Sequence, residues 1–115
     1  MAKLDKEIVH LLEYELHHYH QYKIQLGALA NRKCIHGIDE KPITSVYIDR
    51  IERFCAIVEQ LANELPRKKY DFINQVYFHR MYSISAYAIQ NYMDNSTAYR
   101  WRNAFLADLA EELGY

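Results

Sequence analysis

An unbroken apolar stripe in residues 44–65 limits the folds open to this chain more than any other feature. Its side chains recur at alternating steps of four and three residues, the spacing of an α-helix rather than of a strand. The stripe consists of Tyr47, Ile51, Phe54, Val58, Leu61 and Leu65. A helix with one apolar face must bury that face against neighbouring elements, so the stripe predicts a helical bundle.

The remainder of the chain also predicts helices. Three glycines and two prolines in 115 residues leave few turns for a β-sheet. Residues 4–32 are predicted to form one long helix, and residues 34–42 the loop that follows it. Pro66 suits the first turn of a third helix, and Ser83 can cap a fourth. We therefore predict an all-α fold, in which the long helix has an apolar stripe of Val9, Leu12, Leu16, Tyr19, Leu26 and Ala30.

The C-terminal segment has the layout of a helix-turn-helix DNA reader. A short helix precedes a tight turn and a longer helix, which Asp94 is placed to cap with its carboxylate. The apolar face of the longer helix consists of Ala98, Trp101, Phe105 and Leu109. Its opposite face is polar, and Arg and Asn side chains there can contact base edges in the major groove. The alternative is an ordinary amphipathic helix with a solvated polar face.

Charge is distributed unevenly along the chain. Residues 66–103 hold six basic and two acidic residues, a net charge of +4, although the whole chain has a net charge of −1. Positive charge on the segment with the predicted reader favours contacts with phosphates and an affinity that depends on salt. We predict DNA contacts from Arg67, Lys68, Lys69, Asn95, Ser96, Thr97, Tyr99, Arg100, Arg102 and Asn103.

Composition and spacing argue against several classes of protein. No stretch approaches the roughly 20 consecutive apolar residues of a membrane-spanning helix, and the N-terminus lacks the apolar core of a signal peptide. We expect a cytoplasmic protein with no membrane partner, in which Cys34 and Cys55 are reduced thiols. No Ser/His/Asp, Cys/His or phosphate-loop arrangement appears, so we expect neither an enzyme nor a cofactor.

The six histidines raise a metal-binding hypothesis. Glu13, His17 and His20 are spaced i, i+4 and i+7, which would place them on one face of a helix. One helix supplies too few ligands for a closed site, and histidine is common throughout this chain. We expect a solvated histidine-rich face and no metal.

Motifs near both ends of the chain resemble a known family. The C-terminal motif consists of Thr97, Ala98 and Arg100, followed by residues 109–114 with the sequence LAEELG. The N-terminal motif consists of Glu15, Leu16, Tyr19, Tyr22 and Leu26. The C-terminal segment, residues 64–115, resembles region 4 of bacterial sigma-70 factors. It resembles more closely the RinA-type transcriptional activators of phages of Gram-positive bacteria, and the N-terminal motif resembles the pattern near the start of that same family.

The resemblance implies both an architecture and a function. Residues 1–42 would form a long helix with its loop, and residues 43–115 a four-helix, region 4-like DNA-binding domain. The protein would bind double-stranded promoter DNA near late or packaging genes of a phage or mobile element and help recruit bacterial RNA polymerase. Region 4 proteins usually have an apolar residue and glycine in the reader turn, where this chain has Asn91 and Tyr92. Because Asn tolerates positive φ, we expect the turn to shift by one residue.

Two alternatives follow from the same residues. An adaptor could use this fold to contact RNA polymerase or a sigma factor without reading DNA. The stripe of the long helix exceeds what a small bundle needs, which predicts a homodimer with two readers on one duplex. The competing arrangement folds that helix back on Tyr47, Ile51 and Phe54 of the same chain.

Overall fold

A computed structural model describes the backbone of residues 4–35 and 45–115, and the side chains of residues 4–28 and 46–115. All regular structure in these stretches is helical, which confirms the predicted all-α class. The helices are α1 (Lys6–His17), α2 (Tyr19–Ile35), α3 (Ser45–Asn63), α4 (Arg67–Ile73), a π-helical turn (Asn74–Phe78) that continues α4, α5 (Ile84–Gln90) and α6 (Asn95–Leu113). The predicted loop within residues 36–42, the predicted boundary at 42/43 and the side chains of Ala30 and Cys34 lie outside this description.

The predicted single helix of residues 4–32 is wrong at one position, because His18 separates α1 from α2. The His18 N–H donates to the carbonyl oxygens of Glu15 and Leu16, and its φ and ψ of −97° and 4° are not helical. Its ring Nδ1–H donates to the carbonyl oxygen of Tyr14 at 2.8 Å. The side chain of His18 therefore satisfies a backbone group that the interruption leaves without a helical partner.

The N-terminal helices fold back on their own chain. α1 packs on the π-helical turn and α6, while α2 packs on α3, which also contacts α6. Leu12 and Leu16 are 1% and 0% exposed, and they share one core with Tyr19, Ile51 and Phe54. The competing arrangement is thus the one observed. The argument that an uncovered stripe requires a homodimer fails, because the same chain covers its central residues.

Tyrosines join the helices to one another at the edge of the core. Their rings lie in or against the core, and their hydroxyl groups donate to carboxylates at its rim. Among the described side chains these pairs are Tyr19 with Glu59 at 2.6 Å, Tyr77 with Glu13 at 2.7 Å, Tyr87 with Asp71 at 2.7 Å, and Tyr22 with Glu15. A buried hydroxyl without a partner would destabilise the fold, so each pair lets a large ring be buried at low cost.

In the described part of the chain, three helical segments end at a residue in the left-handed region: Arg80 (φ 54°), Tyr92 (φ 56°) and Gly114 (φ 91°). After α5, the Met93 N–H donates to the Ala88 carbonyl at 2.9 Å and the Tyr92 N–H to the Ile89 carbonyl at 3.3 Å. This is the hydrogen-bond pattern of a Schellman motif. The left-handed residue is therefore Tyr92 and not Asn91, whose φ of −108° corrects the prediction that Asn would take this role.

None of the helices in the described part of the chain is long and apolar enough to cross a membrane. Cys55 is a buried free thiol, and burial raises the pKa of that thiol to about 11. A thiol with such a pKa is protonated at neutral pH and is a poor nucleophile.

Candidate nucleic-acid interface

α5, its turn and α6 place one polar helix face at the surface. The hydroxyl of Ser83 caps α5 by accepting from the Ala86 N–H at 3.1 Å, as predicted. Asp94 does stand at the N-cap position of α6, but its carboxylate accepts no capping hydrogen bond. Its contribution to α6 is therefore limited to charge at the positive end of the helix dipole.

The apolar face of α6 fixes the orientation of the polar face. Ala98, Phe105 and Leu109 are buried, as the stripe predicts, whereas Trp101 is only partly buried. The Trp101 ring lies edge-on to Phe72 with ring centres 5.9 Å apart. Because the buried residues anchor α6 from its first turn to its last, the opposite face cannot turn inward.

We call the exposed face of α6 the α6 ridge; it consists of Asn95, Ser96, Arg100 and Asn103. All four side chains are exposed, and Arg100 makes no ion pair or hydrogen bond with a described residue. Asn103 has one hydrogen-bond partner among the described side chains, since its Oδ1 accepts from the Arg102 Nε–H at 3.0 Å. The ridge thus offers a guanidinium, two amides and a hydroxyl to a partner.

On one side of the ridge lies a depression of about 650 Å³, here called the α4–α6 groove. Arg67 and Lys68 at the start of α4 line it together with Thr97 and Trp101. The ammonium of Lys69 lies 5.9 Å from the centre of the Trp101 ring, a cation–π distance. The structure therefore places the three cations of α4 beside α6, although they lie about thirty positions earlier in the sequence.

On the other side lies a cleft of about 450 Å³, here called the Arg80 cleft, where α1, the π-helical turn and α6 meet. Tyr99 and Arg102, two predicted DNA contacts, line this cleft. Arg102 is only 18% exposed and already has partners in the chain: Glu13 at 3.6 Å and the face of the Tyr99 ring at 5.0 Å. Its guanidinium is thus less available to a partner than that of Arg100.

The ten predicted residues therefore divide among three adjoining surfaces. Sequence reasoning did not single out Arg80, His17 or Tyr92 as surface features of this region. Arg80 was counted only as part of the positive segment, and the left-handed backbone at Arg80 and Tyr92 has no signature in residue type. His17 was considered only as a metal ligand.

The residues of the metal hypothesis are not brought together. The His17 ring lies against the ring of Tyr77, with ring centres 5.5 Å apart. Glu13 instead accepts from Tyr77 and pairs with Arg102, and the His20 ring lies 5.6 Å from that of His79. Within the part of the chain that the structure describes, no group of three or more His, Cys, Asp or Glu side chains could hold a metal ion.

Comparison of the chain with protein-family models, curated proteins and solved structures finds no match in any of the three. The surfaces above must therefore be interpreted from their own chemistry.

Proposed function

We propose that this protein binds double-stranded DNA through the α6 ridge and acts as a transcriptional activator. The observation that supports this most strongly is the exposed guanidinium of Arg100, which has no polar partner among the described residues and lies one helical turn from the amide of Asn103. Arginine and asparagine side chains pair with guanine and adenine edges in the major groove. A helix held by its opposite face presents such side chains in a fixed orientation.

The flanking surfaces suit the phosphate backbone. The cations of Arg67 and Lys68 in the α4–α6 groove lie on one side of α6, within reach of a strand that passes the ridge. Contacts of this kind set the position and orientation of a protein on a duplex without reading its sequence. In this proposal, the ridge supplies specificity and the cations of α4 supply salt-dependent affinity.

The biological setting of the proposal comes from the resemblance to RinA-type activators. The protein would act in the cytoplasm of a bacterial host on promoters of late or packaging genes, and would contact RNA polymerase there. Two copies on one site would raise the affinity above that of one modestly charged reader. Sedimentation equilibrium with and without duplex tests this: a homodimer on DNA predicts two protein chains per duplex.

A fluorescence-anisotropy titration with promoter-length duplex tests the proposal. We expect the logarithm of the binding constant to fall linearly as the logarithm of the salt concentration rises. Lys68→Ala should lower the slope by about one unit on every duplex, the value for one lost phosphate contact. Arg53→Ala is the charge-matched control, because Arg53 is exposed on α3 and donates to the Glu112 carbonyl at 3.0 Å. No salt-dependent binding by the wild-type protein would refute the proposal.

A second candidate function, an adaptor that binds the transcription machinery without reading DNA, rests on a different observation. Ile89 and Tyr92, at the end of α5 and in its turn, are 77% and 97% exposed. Exposed apolar side chains this close together are typical of protein contacts. An Ile89→Ser, Tyr92→Ser double variant that loses polymerase or sigma-factor binding but keeps duplex binding would assign this surface to a protein partner.

A further inference from the structure

The Arg80 cleft has a construction that the proposed function does not require. Four helical elements contribute to it: the end of α1 with His17, the π-helical turn with Tyr77, the start of α5 with Ile84, and the start of α6 with Tyr99. Ser83, whose hydroxyl caps α5, also lines the cleft. π-Helical turns are rare in proteins, and those that occur lie often at functional sites. The presence of one in its wall makes this cleft a candidate binding site.

The backbone at Arg80 is unfavourable for arginine. Arg80 has a φ of 54° and lies just after the π-helical turn. At the end of that turn, the His79 N–H donates to the Asn74 carbonyl and the Met81 N–H donates to the Gln75 carbonyl, both at 2.8 Å. Glycine adopts this conformation without the steric cost that a Cβ atom brings. Residues other than glycine in such conformations are concentrated at functional sites.

No polar contact with the described residues explains why this residue is arginine. The Arg80 side chain is exposed and makes no hydrogen bond or ion pair with any residue that the structure describes. The carboxylate in the same cleft belongs to Glu13, which accepts from the Tyr77 hydroxyl at 2.7 Å and pairs with Arg102. The guanidinium of Arg80 therefore has no ion-pair partner among the described residues, since the nearby carboxylate of Glu13 is paired with other groups.

The groups around Arg80 suit an anion. The cleft places the imidazole of His17 and the hydroxyls of Ser83 and Tyr99 around the same space as this guanidinium. Burial and the nearby positive charge of Arg80 lower the pKa of His17. An anion in the cleft would oppose the effect of that charge.

We propose that the Arg80 cleft binds a phosphate group. The planar guanidinium can donate two parallel hydrogen bonds to phosphate oxygens, and the hydroxyl groups can donate to the remaining lone pairs of the same oxygens. The phosphate could belong to the backbone of a duplex on the α6 ridge, an arm that rests on the proposed function, or to a free phosphate ion. The two sources share one recognition chemistry and are separated by experiment.

Arg80→Gly is the informative variant because it removes the guanidinium and keeps the left-handed backbone. Tyr92→Gly is its matched control: it makes the same backbone change at a helix end, at a position outside the Arg80 cleft. Tyr92 lines the α4–α6 groove but carries no charge, so its loss should leave the salt slope of duplex binding unchanged even if the affinity changes. Both variants should fold, since glycine removes a steric penalty at each site. Arg53→Ala adds a control for loss of one positive charge elsewhere.

The first arm measures thermal unfolding in inorganic phosphate at constant ionic strength, with chloride as the replacement ion. A ligand that binds only the folded state raises the melting temperature as its concentration increases. If free phosphate is the ligand, the melting temperature rises for the wild type, Tyr92→Gly and Arg53→Ala, and stays constant for Arg80→Gly.

The second arm measures the salt dependence of duplex binding for the same four proteins. If the DNA backbone supplies the phosphate, Arg80→Gly lowers the slope of log affinity against log salt by about one unit and the two controls do not. Equal behaviour of Arg80→Gly and Tyr92→Gly in both arms would overturn the inference. If the wild type binds no duplex, the proposed function fails and the first arm alone decides the role of the cleft.

Discussion

α1 and α6 are both docked by a buried apolar face, but their polar faces differ in what they contact. On α1, the carboxylates of Glu13 and Glu15 accept hydrogen bonds from tyrosines and pair with arginines of α6 and α3. On the first half of α6, Arg100 has no partner among the described residues. The polar face of α1 therefore holds the bundle together, while that of α6 is available to another molecule.

The difference should appear most strongly when the apolar face of α1 is damaged. Leu16 is 0% exposed, so Leu16→Ala should lower the free energy of unfolding by about 2–5 kcal/mol through lost burial and a cavity. Urea unfolding followed by circular dichroism measures the loss. The loss should be the same at low and high protein concentration, because Leu16 packs within its own chain. A loss of stability that depends on protein concentration would show that this stripe is part of a dimer interface.

Arg100→Ala on α6 should have the opposite effect to Leu16→Ala on α1: it should weaken DNA binding and leave stability unchanged. We expect the affinity for a specific duplex to weaken by about 1–3 kcal/mol, the range for one lost base contact. The free energy of unfolding should stay within about 0.5 kcal/mol of the wild type, as for other exposed positions. Duplex anisotropy and urea unfolding of the same samples provide both values. Unchanged affinity would show that the ridge has been assigned incorrectly.

The sequence predicts the parts of this comparison that depend on periodicity. The helix from Ser45 to Asn63, the Ser83 cap and the buried face of α6 follow from spacing and from local capping chemistry. The break at His18 could not be predicted in this way, because the stripe continues through it. Its cause is a side chain that hydrogen-bonds to the backbone, which competes locally with the helix.

Contacts between residues that are distant in sequence determine which side chains of the candidate site are available, and the sequence alone could not predict these contacts. Arg102 has the same residue type as Arg100 and lies two positions away, yet its partner Glu13 is distant in sequence. Residue type and helical spacing therefore could not distinguish the engaged arginine from the available one. The left-handed backbone of Tyr92 was equally hidden, since the local preference pointed to Asn91.

A pH titration should detect the polar links on the N-terminal side of the bundle. The hydrogen bond from Tyr19 and the pairing with Lys23 hold the pKa of Glu59 below its ordinary value. A lowered carboxyl pKa stabilises the fold at pH values above the unfolded pKa, and this contribution disappears as the pH falls through the folded pKa. The free energy of unfolding should therefore decline from about pH 6 to about pH 3 more steeply in the wild type than in Glu59→Gln.

Glu52→Gln provides the control for this titration. Glu52 is exposed on the same helix and contacts no described side chain by a hydrogen bond or ion pair, so the variant also removes one carboxylate but breaks no link. If Glu59→Gln and Glu52→Gln give the same pH dependence, the Tyr19–Glu59–Lys23 contacts do not contribute to stability in solution.

The smallest expected effect concerns the turn that leads into α6. α5 and α6 end in the same hydrogen-bonded motif, but α6 has Gly114 at the left-handed position and α5 has Tyr92, whose side chain is 97% exposed. Tyr92→Gly removes the steric cost of a Cβ atom, while the added freedom of the unfolded chain offsets part of the gain. We therefore expect the free energy of unfolding to rise by up to about 1 kcal/mol. Thermal and urea unfolding test this directly. A clear loss of stability would show that the Tyr92 ring contributes to the fold. The side chains of this turn would then bind within the chain, as the polar side chains of α1 do.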